Sequence, residues 1–214
     1  MKHSPIFICL FNFIFGFGFD LSLGEAYNLN QSISISRDSY ADIDFDASFD
    51  THGLNSPQYY SLRFRHQIKN KNVELEFIHH KLYIEENLPD QIDKFEVSDG
   101  YNLLLINLVN TLKENIYYRL GIGTVVTHPD IMIEGQTNYI KGGGLIPKFW
   151  TDGYHWGGIS SQASVFYNYR IKDKLAMNIE TKFIYASASV PVVGGSFILP
   201  NLSFHFLIGI SFGK

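Results

Sequence analysis

Three residues of this chain have the types to do chemistry together: His79, Asp99 and His128. A carboxylate can orient one imidazole while a second imidazole acts as a general base, an arrangement suited to ester hydrolysis. A His/Asp/His set is also a donor set for a metal ion. No nucleophile stands out, since Thr124, Thr127 and Ser98 are merely near in sequence, and an activated water would have to make the attack. Residues 20 to 29 positions apart meet only if the fold gathers them, so the elements that would carry them come next.

The chain reads as strands. In 201–214, Leu202, Phe204, Phe206, Ile208, Ile210 and Phe212 alternate with Ser203, His205, Gly209 and Ser211. A strand turns successive side chains to opposite faces, so this segment has one apolar and one mostly small or polar side. It also reaches the roughly 9 to 11 residues with which a tilted strand crosses a bilayer. The same period of two recurs in 41–49, 60–68, 73–83, 95–105, 116–128, 159–170 and 175–187. That predicts eight strands. The links near 69–72, 110–115 and 171–174 are short, whereas those near 50–58, 84–94, 129–158 and 188–200 are longer. Alternating short and long links are the pattern of an antiparallel up-and-down transmembrane β-barrel with short periplasmic turns and longer external loops.

Composition agrees with this fold class and excludes others. In 214 residues the net charge is -4, and Lys and Arg are scattered, which does not describe a nucleic-acid binder. Phe and Tyr greatly outnumber Trp, a bias that suits strands and aromatic girdles. Lys2 and His3 precede an apolar run to Phe19 followed by small residues, the form of an export signal over 1–24 cut after Gly24, with a cut after Gly18 as the alternative. Residues 25–39 are then expected to be a loose periplasmic leader and 40–214 the barrel domain. The single cysteine, Cys9, falls inside the signal, so no disulfide or thiol chemistry is expected.

Alternation alone fits a secreted sandwich or a soluble barrel equally well. Small residues on the polar faces, tyrosines at the ends of the apolar faces and matched charges favour lipid outside. Asp42, Asp44 and Asp46 would face Arg63 and Arg65, which would face Glu74 and Glu76 on the next strand. Arg119, Arg170, Glu180 and Lys182 would carry this cross-strand ladder around a polar, charge-laddered interior. Such a ladder fixes register more than it stabilises, because desolvating the ions offsets much of their attraction.

On strand pattern, loop alternation and the aromatic closing strand, 40–212 resembles the small eight-stranded outer-membrane β-barrel superfamily. One departure is that the chain continues past Phe212 with Gly213-Lys214, whereas such barrels commonly end on an aromatic residue. The resemblance implies an integral protein of the bacterial outer membrane, in contact with lipids and lipopolysaccharide and inserted by the barrel-assembly machinery. Its relatives include anchors, porin-like barrels and lipid A palmitoyltransferases and deacylases. A charged interior disfavours an acyl chain in the lumen, and none of the eight histidines is followed two positions later by serine, so the deacylase motif is not carried over.

By strand parity His79, Asp99 and His128 face outward near the outer ends of three consecutive strands. There they could form an outer-wall acyl hydrolase site on lipid A or phospholipid, or simply sit in the interfacial belt bonded to headgroups and loops. Trp150, Tyr154, His155 and Trp156 could bind sugar or headgroups, or rest on the rim. His205 reads as an interior hydrogen-bonded group; Asn168 and Asn201 take no role, and Gly142-Gly143-Gly144 lacks phosphate-loop spacing. No cofactor or dedicated metal motif is present. The principal expectation is a non-enzymatic structural or surface-binding barrel with a side-chain-filled lumen, and the alternative is the hydrolase.

Overall fold

The computed structural model describes residues 17–84, 86–138 and 153–213. In chain order the strands are β1 (Phe17–Asn28), β2 (Gln31–Arg37), β3 (Ile43–Ala47), β4 (Tyr60–Ile68), β5 (Lys71–His79), β6 (Leu82–Ile84) and β7 (Ile92–Val97). They continue with β8 (Tyr101–Lys113), β9 (Ile116–Thr127), β10 (Asp130–Ile133), β11 (Gln136–Thr137), β12 (His155–Lys172), β13 (Leu175–Val192) and β14 (Gly195–Phe212). Among the described residues, β1, β4, β5, β8, β9, β12, β13 and β14 pair with their neighbours antiparallel, and β14 closes the ring against β1. This is an all-β, eight-stranded up-and-down barrel.

Closure follows from side-chain parity. Across the seam Leu21 lies opposite Ile210 and Leu23 opposite Ile208, all four exposed, whereas Asp20 and Ser22 lie opposite Ser211 and Gly209 on the inner side. Gly209 is required there, because a Cβ would come within 2.6 Å of the Leu21 carbonyl oxygen across the seam, besides meeting Ser22 Oγ. The outer wall carries an apolar face of exposed Leu, Ile and Phe, with Phe64, Ile106, Ile122, Ile179 and Phe206 among them. Strands closed into a ring satisfy their own backbone, so such a face can meet lipid without a free edge.

The first barrel strand is not the one expected. Residues 41–49 contain β3, which pairs only with β2 in a hairpin outside the ring. Its apolar side, Ile43 and Ala47, packs into a core above the barrel, and Asp44 and Asp46 face water. The ring strand is instead β1, from a stretch assigned to signal and leader, and the leader span also supplies β2. The expected long link at 188–200 is likewise replaced by continuous strand, with β13 and β14 joined by a tight turn at Val193-Gly194, where Gly194 takes a φ of 79°.

β13 and β14 each run 18 residues, well beyond the roughly 9 to 11 that cross a bilayer. Their surplus forms a mast above the rim. Ala186, Ala188, Val190 and Val192 of β13 and Phe197 and Leu199 of β14 are buried on its inner side. The β2–β3 hairpin and a second sheet, ordered β11-β10-β7-β6, pack on that side. Phe95 of β7 lies against Phe45, Phe49 and Phe197 at centroid distances of 6.3, 6.1 and 5.8 Å. This folded crown is tied further by Arg37–Glu134 at 3.2 Å and Lys94–Asp130 at 2.5 Å. Lys81 holds the loop before β4 by donating to the carbonyls of His52 and Asn55 at 2.8 and 3.0 Å. The interior is therefore layered: polar within the lower barrel, apolar beneath the crown.

Candidate functional site

The lower lumen is filled by one ion network centred on Glu76. Its Oε1 accepts from Ser61 at 2.6 Å, from Arg63 Nε at 2.7 Å and from Lys182 Nζ. Its Oε2 accepts from Asn107 at 2.8 Å and Gln162 at 2.5 Å. Arg63 also donates to Glu180, while Arg119 bridges Glu180 and Glu74, the latter through Nε at 2.5 Å, and lies over the Phe166 ring at 4.4 Å. Arg65 pairs with Asp20 and, at 3.4 Å, with Glu74. Arg63, Glu74, Glu76, Arg119, Glu180 and Lys182 are all buried. The network's neighbours come from register: Arg63 is directly opposite Glu76, and Arg65 opposite Glu74.

Two parts of the expected ladder lie elsewhere. Asp42, Asp44 and Asp46 are exposed on or beside β3, where Asp46 accepts from Ser32 at 2.6 Å. Their place opposite Arg63 is taken by Asp20, directly across from it on β1. Arg170 has lumen parity but stands at the barrel mouth between the short turns, exposed.

Above the ions sits a neutral polar layer. His205 accepts or donates at both ring nitrogens, to Tyr59 Oη at 2.6 Å and Ser203 Oγ at 2.8 Å. Asn201 donates to Asn28 Oδ1 at 2.9 Å, and Asn28 donates to Thr51 Oγ1 at 2.9 Å. His80 packs among Tyr59, Tyr101 and His205. The Ser203–His205 contact is that of a hydroxyl and a base, yet both residues are wholly buried between ions and crown, so it satisfies interior polar groups.

The outer-wall trio is gathered in part. Asp99 Oδ2 lies 3.2 Å from His128 Nδ1, and Tyr154 packs on the His128 ring at 4.5 Å while its hydroxyl reaches the Asp99 carbonyl at 3.5 Å. His79 is oriented by a different residue: its Nδ1 lies 2.8 Å from Asn102 Oδ1, and its ring stacks on Tyr60 at 5.2 Å. Cross-strand register runs Tyr60, His79 on one ladder and Asn102, Val126, Trp156 on the next two. Tyr60 and Trp156 mark an aromatic belt at this height. Asn102 and Tyr154 are not expected as partners: alternation over 95–105 turns Asn102 inward with Glu96 and Ser98, whereas on β8 Tyr101, Leu103 and Leu105 are the buried face and Asn102 shares the outward parity of Ile106 and Leu108.

Two of the three hydroxyls near the trio are committed elsewhere: Thr124 donates to the Gly158 carbonyl at 2.9 Å and Ser98 to Glu96 at 3.2 Å. Thr127 shares the inward parity of Val125, its buried Oγ1 without a hydrogen-bond partner among the described residues. Among the described residues no group of three or more His, Cys, Asp or Glu is placed to hold a metal. Trp150 and Gly142-Gly143-Gly144 lie outside the described residues.

No protein-family model matches the chain. No curated protein matches it in sequence. Among solved structures, the outer membrane protein OprG from Pseudomonas aeruginosa superposes with a TM-score of 0.50 at 11% identity, over 92% of this chain and 95% of that one. The outer membrane protein AlkL gives 0.48 at 11% identity, over 92% and 88%, and Neisserial surface protein A gives 0.46 at 10%, over 93% and 97%. The likeness is one of fold, and it is the fold of the small eight-stranded outer-membrane barrels.

Proposed function

We propose that the chain is an integral outer-membrane protein with a lumen closed to ions, and that its folded crown is a surface platform for binding outside the cell. The observation that carries this reading is the double closure of the interior: the buried network around Glu76 below, and the apolar core around Phe95 above. On this reading the chain is exported through the periplasm, inserted by the barrel-assembly machinery and surrounded by lipids and lipopolysaccharide. The short turns then face the periplasm and the crown faces out. Planar-bilayer recording of the refolded protein tests it. Silence at voltages where porins conduct is expected; stepwise conductance from the intact protein would reject a closed lumen.

The His79–Asn102 and Asp99–His128 pairs favour a second reading, an outer-wall acyl hydrolase that uses an imidazole to activate water. Mass spectrometry of lipid A and phospholipids from cells with and without the protein separates the two. An unchanged lipid profile removes the hydrolase; a lost acyl chain that returns in His79→Ala and His128→Ala establishes it.

A further inference from the structure

Below the ion network the barrel interior opens between the short turns into a cavity of about 330 Å³. Pockets for small ligands run from roughly 300 to 1,000 Å³. Three cationic side chains line it, Arg65, Arg170 and Lys172, against one carboxylate, Asp173. Arg65 is already held by Asp20 and Glu74, so it forms the floor. Arg170 and Lys172 have no carboxylate partner among the described residues, and both are exposed toward the cavity mouth. Asn168 stands beside them, its backbone N–H bonded to the Asn115 carbonyl at 2.9 Å while its buried side-chain Oδ1 has no partner. The two ends of an amide exchange by a half-turn about its last bond, so Asn168 can present either a donor or an acceptor.

We infer that this inner mouth is a binding site for a small oxyanion group, a phosphate or a carboxylate, held between Arg170 and Lys172 with Asn168 as a third contact. Guanidinium and ammonium donors converging on one recess suit an oxyanion, since charge-assisted hydrogen bonds are the stronger class. The site is recessed within the strand ring: Tyr117, Asn168 and Ser211 reach it with inward parity. A lipid headgroup on the outer wall is therefore not its occupant. The oxyanion comes either free in solution or pendant on a soluble polymer of the compartment the short turns face, and the naming of that compartment as the periplasm rests on the orientation proposed above.

The test uses the full chain refolded in detergent, titrated calorimetrically with inorganic phosphate and, separately, with a soluble muropeptide bearing free carboxylates. Saturable binding of at least one titrant is expected, weakened about tenfold or more in the Arg170→Ala/Lys172→Ala double variant and weakened by added salt. Binding of phosphate alone identifies a free anion; binding of muropeptide alone identifies the pendant carboxylate. Failure of both titrants to bind, or equal binding by wild type and double variant, overturns the inference. Both substitutions are at exposed positions, and retained heat-dependent gel migration verifies that the variant is folded. The outcome is independent of the conductance experiment, so a silent barrel without oxyanion binding rejects this site alone.

Discussion

Phe95 of the crown meets Phe197 of the mast edge to face, ring centroids 5.8 Å apart at an interplanar angle of 61°. Because Phe95 also touches Phe45 and Phe49, one ring joins both crown sheets to the extended hairpin. Truncating such a ring leaves a cavity that costs about 3–5 kcal/mol. Phe95→Ala is expected to open the crown to limited proteolysis while the barrel keeps its heat-dependent gel migration. Loss of both together would mean that crown and barrel fold as one unit.

Glu76 predicts a different failure. Removing one member of a buried, hydrogen-bonded ion set leaves its partners uncompensated, at a cost of about 3–5 kcal/mol. Glu76→Ala removes the carboxylate that Arg63 and Lys182 share and leaves both cations to Glu180, and its urea midpoint should fall well below wild type. A joint Glu76→Leu/Lys182→Met variant, which removes one buried ion of each sign and keeps the Arg63–Glu180 and Arg119–Glu180 pairs, should recover much of the loss, since apolar replacement of a buried ion pair is often neutral. A double variant weaker than Glu76→Ala would show that the pair stabilises in net terms.

His80 gives a pH dependence. Burial pushes its imidazole down to about 3, against a raising contribution from Asn201, while an unfolded histidine titrates near 6.5. The groups around it are Tyr59, Tyr101, His205, His79 and Lys81. Between those two values the unfolded chain binds a proton that the folded chain excludes, so this group's stability is complete above about pH 6.5 and is lost as pH falls toward 3. Thermal midpoints at pH 7 and pH 5 should differ less in His80→Phe than in wild type. An equal difference in the two proteins would remove His80 as the source.

The place of β1 sets where an export signal can be cut. Asp20 pairs with Arg65, and residues from Phe19 onward pair with β14. A cut after Gly24 would remove that acid and half the seam. If the signal is cut, the mature protein is expected to begin at or before Phe19, which allows a cut after Gly18 and which N-terminal sequencing reads directly. A mature chain starting at Glu25 would contradict the closed ring.

Six of the eight ring strands are legible from alternation, because a lipid-facing wall and an inward polar face impose a period of two that few other segments satisfy. The expected strand 95–105 instead runs through crown strand β7, reaches β8 only at 101–105, and turns Tyr101 and Leu103 outward where both are buried. β1 alternates as well, Phe19, Leu21 and Leu23 against Asp20, Ser22 and Gly24, but it joins the apolar run of Ile6 to Phe19 without a break, which hides its start. β3 misled for the converse reason: a short crown hairpin with a dry side and a wet side has the same period as a membrane strand. The pairing of Arg63 with Glu76 and Arg65 with Glu74 followed from matched spacing across a tight turn. Asn102 beside His79 required the register between β5 and β8, which a loop of unknown path conceals.

The unequal strand lengths also decide how the molecule would bear a pull. Tension applied to the crown runs down β13 and β14, which stay paired from Val192 opposite Gly195 to Leu175 opposite Phe212. On its other edge β14 is bonded to β1 from Asn28 opposite Ser203 to Phe19 opposite Phe212. Because a pull on their shared tip moves β13 and β14 together, it loads in shear the two outer ladders, β14 on β1 and β13 on β12, whose hydrogen bonds resist side by side instead of parting one after another. A load on the crown is thereby carried by the barrel wall itself.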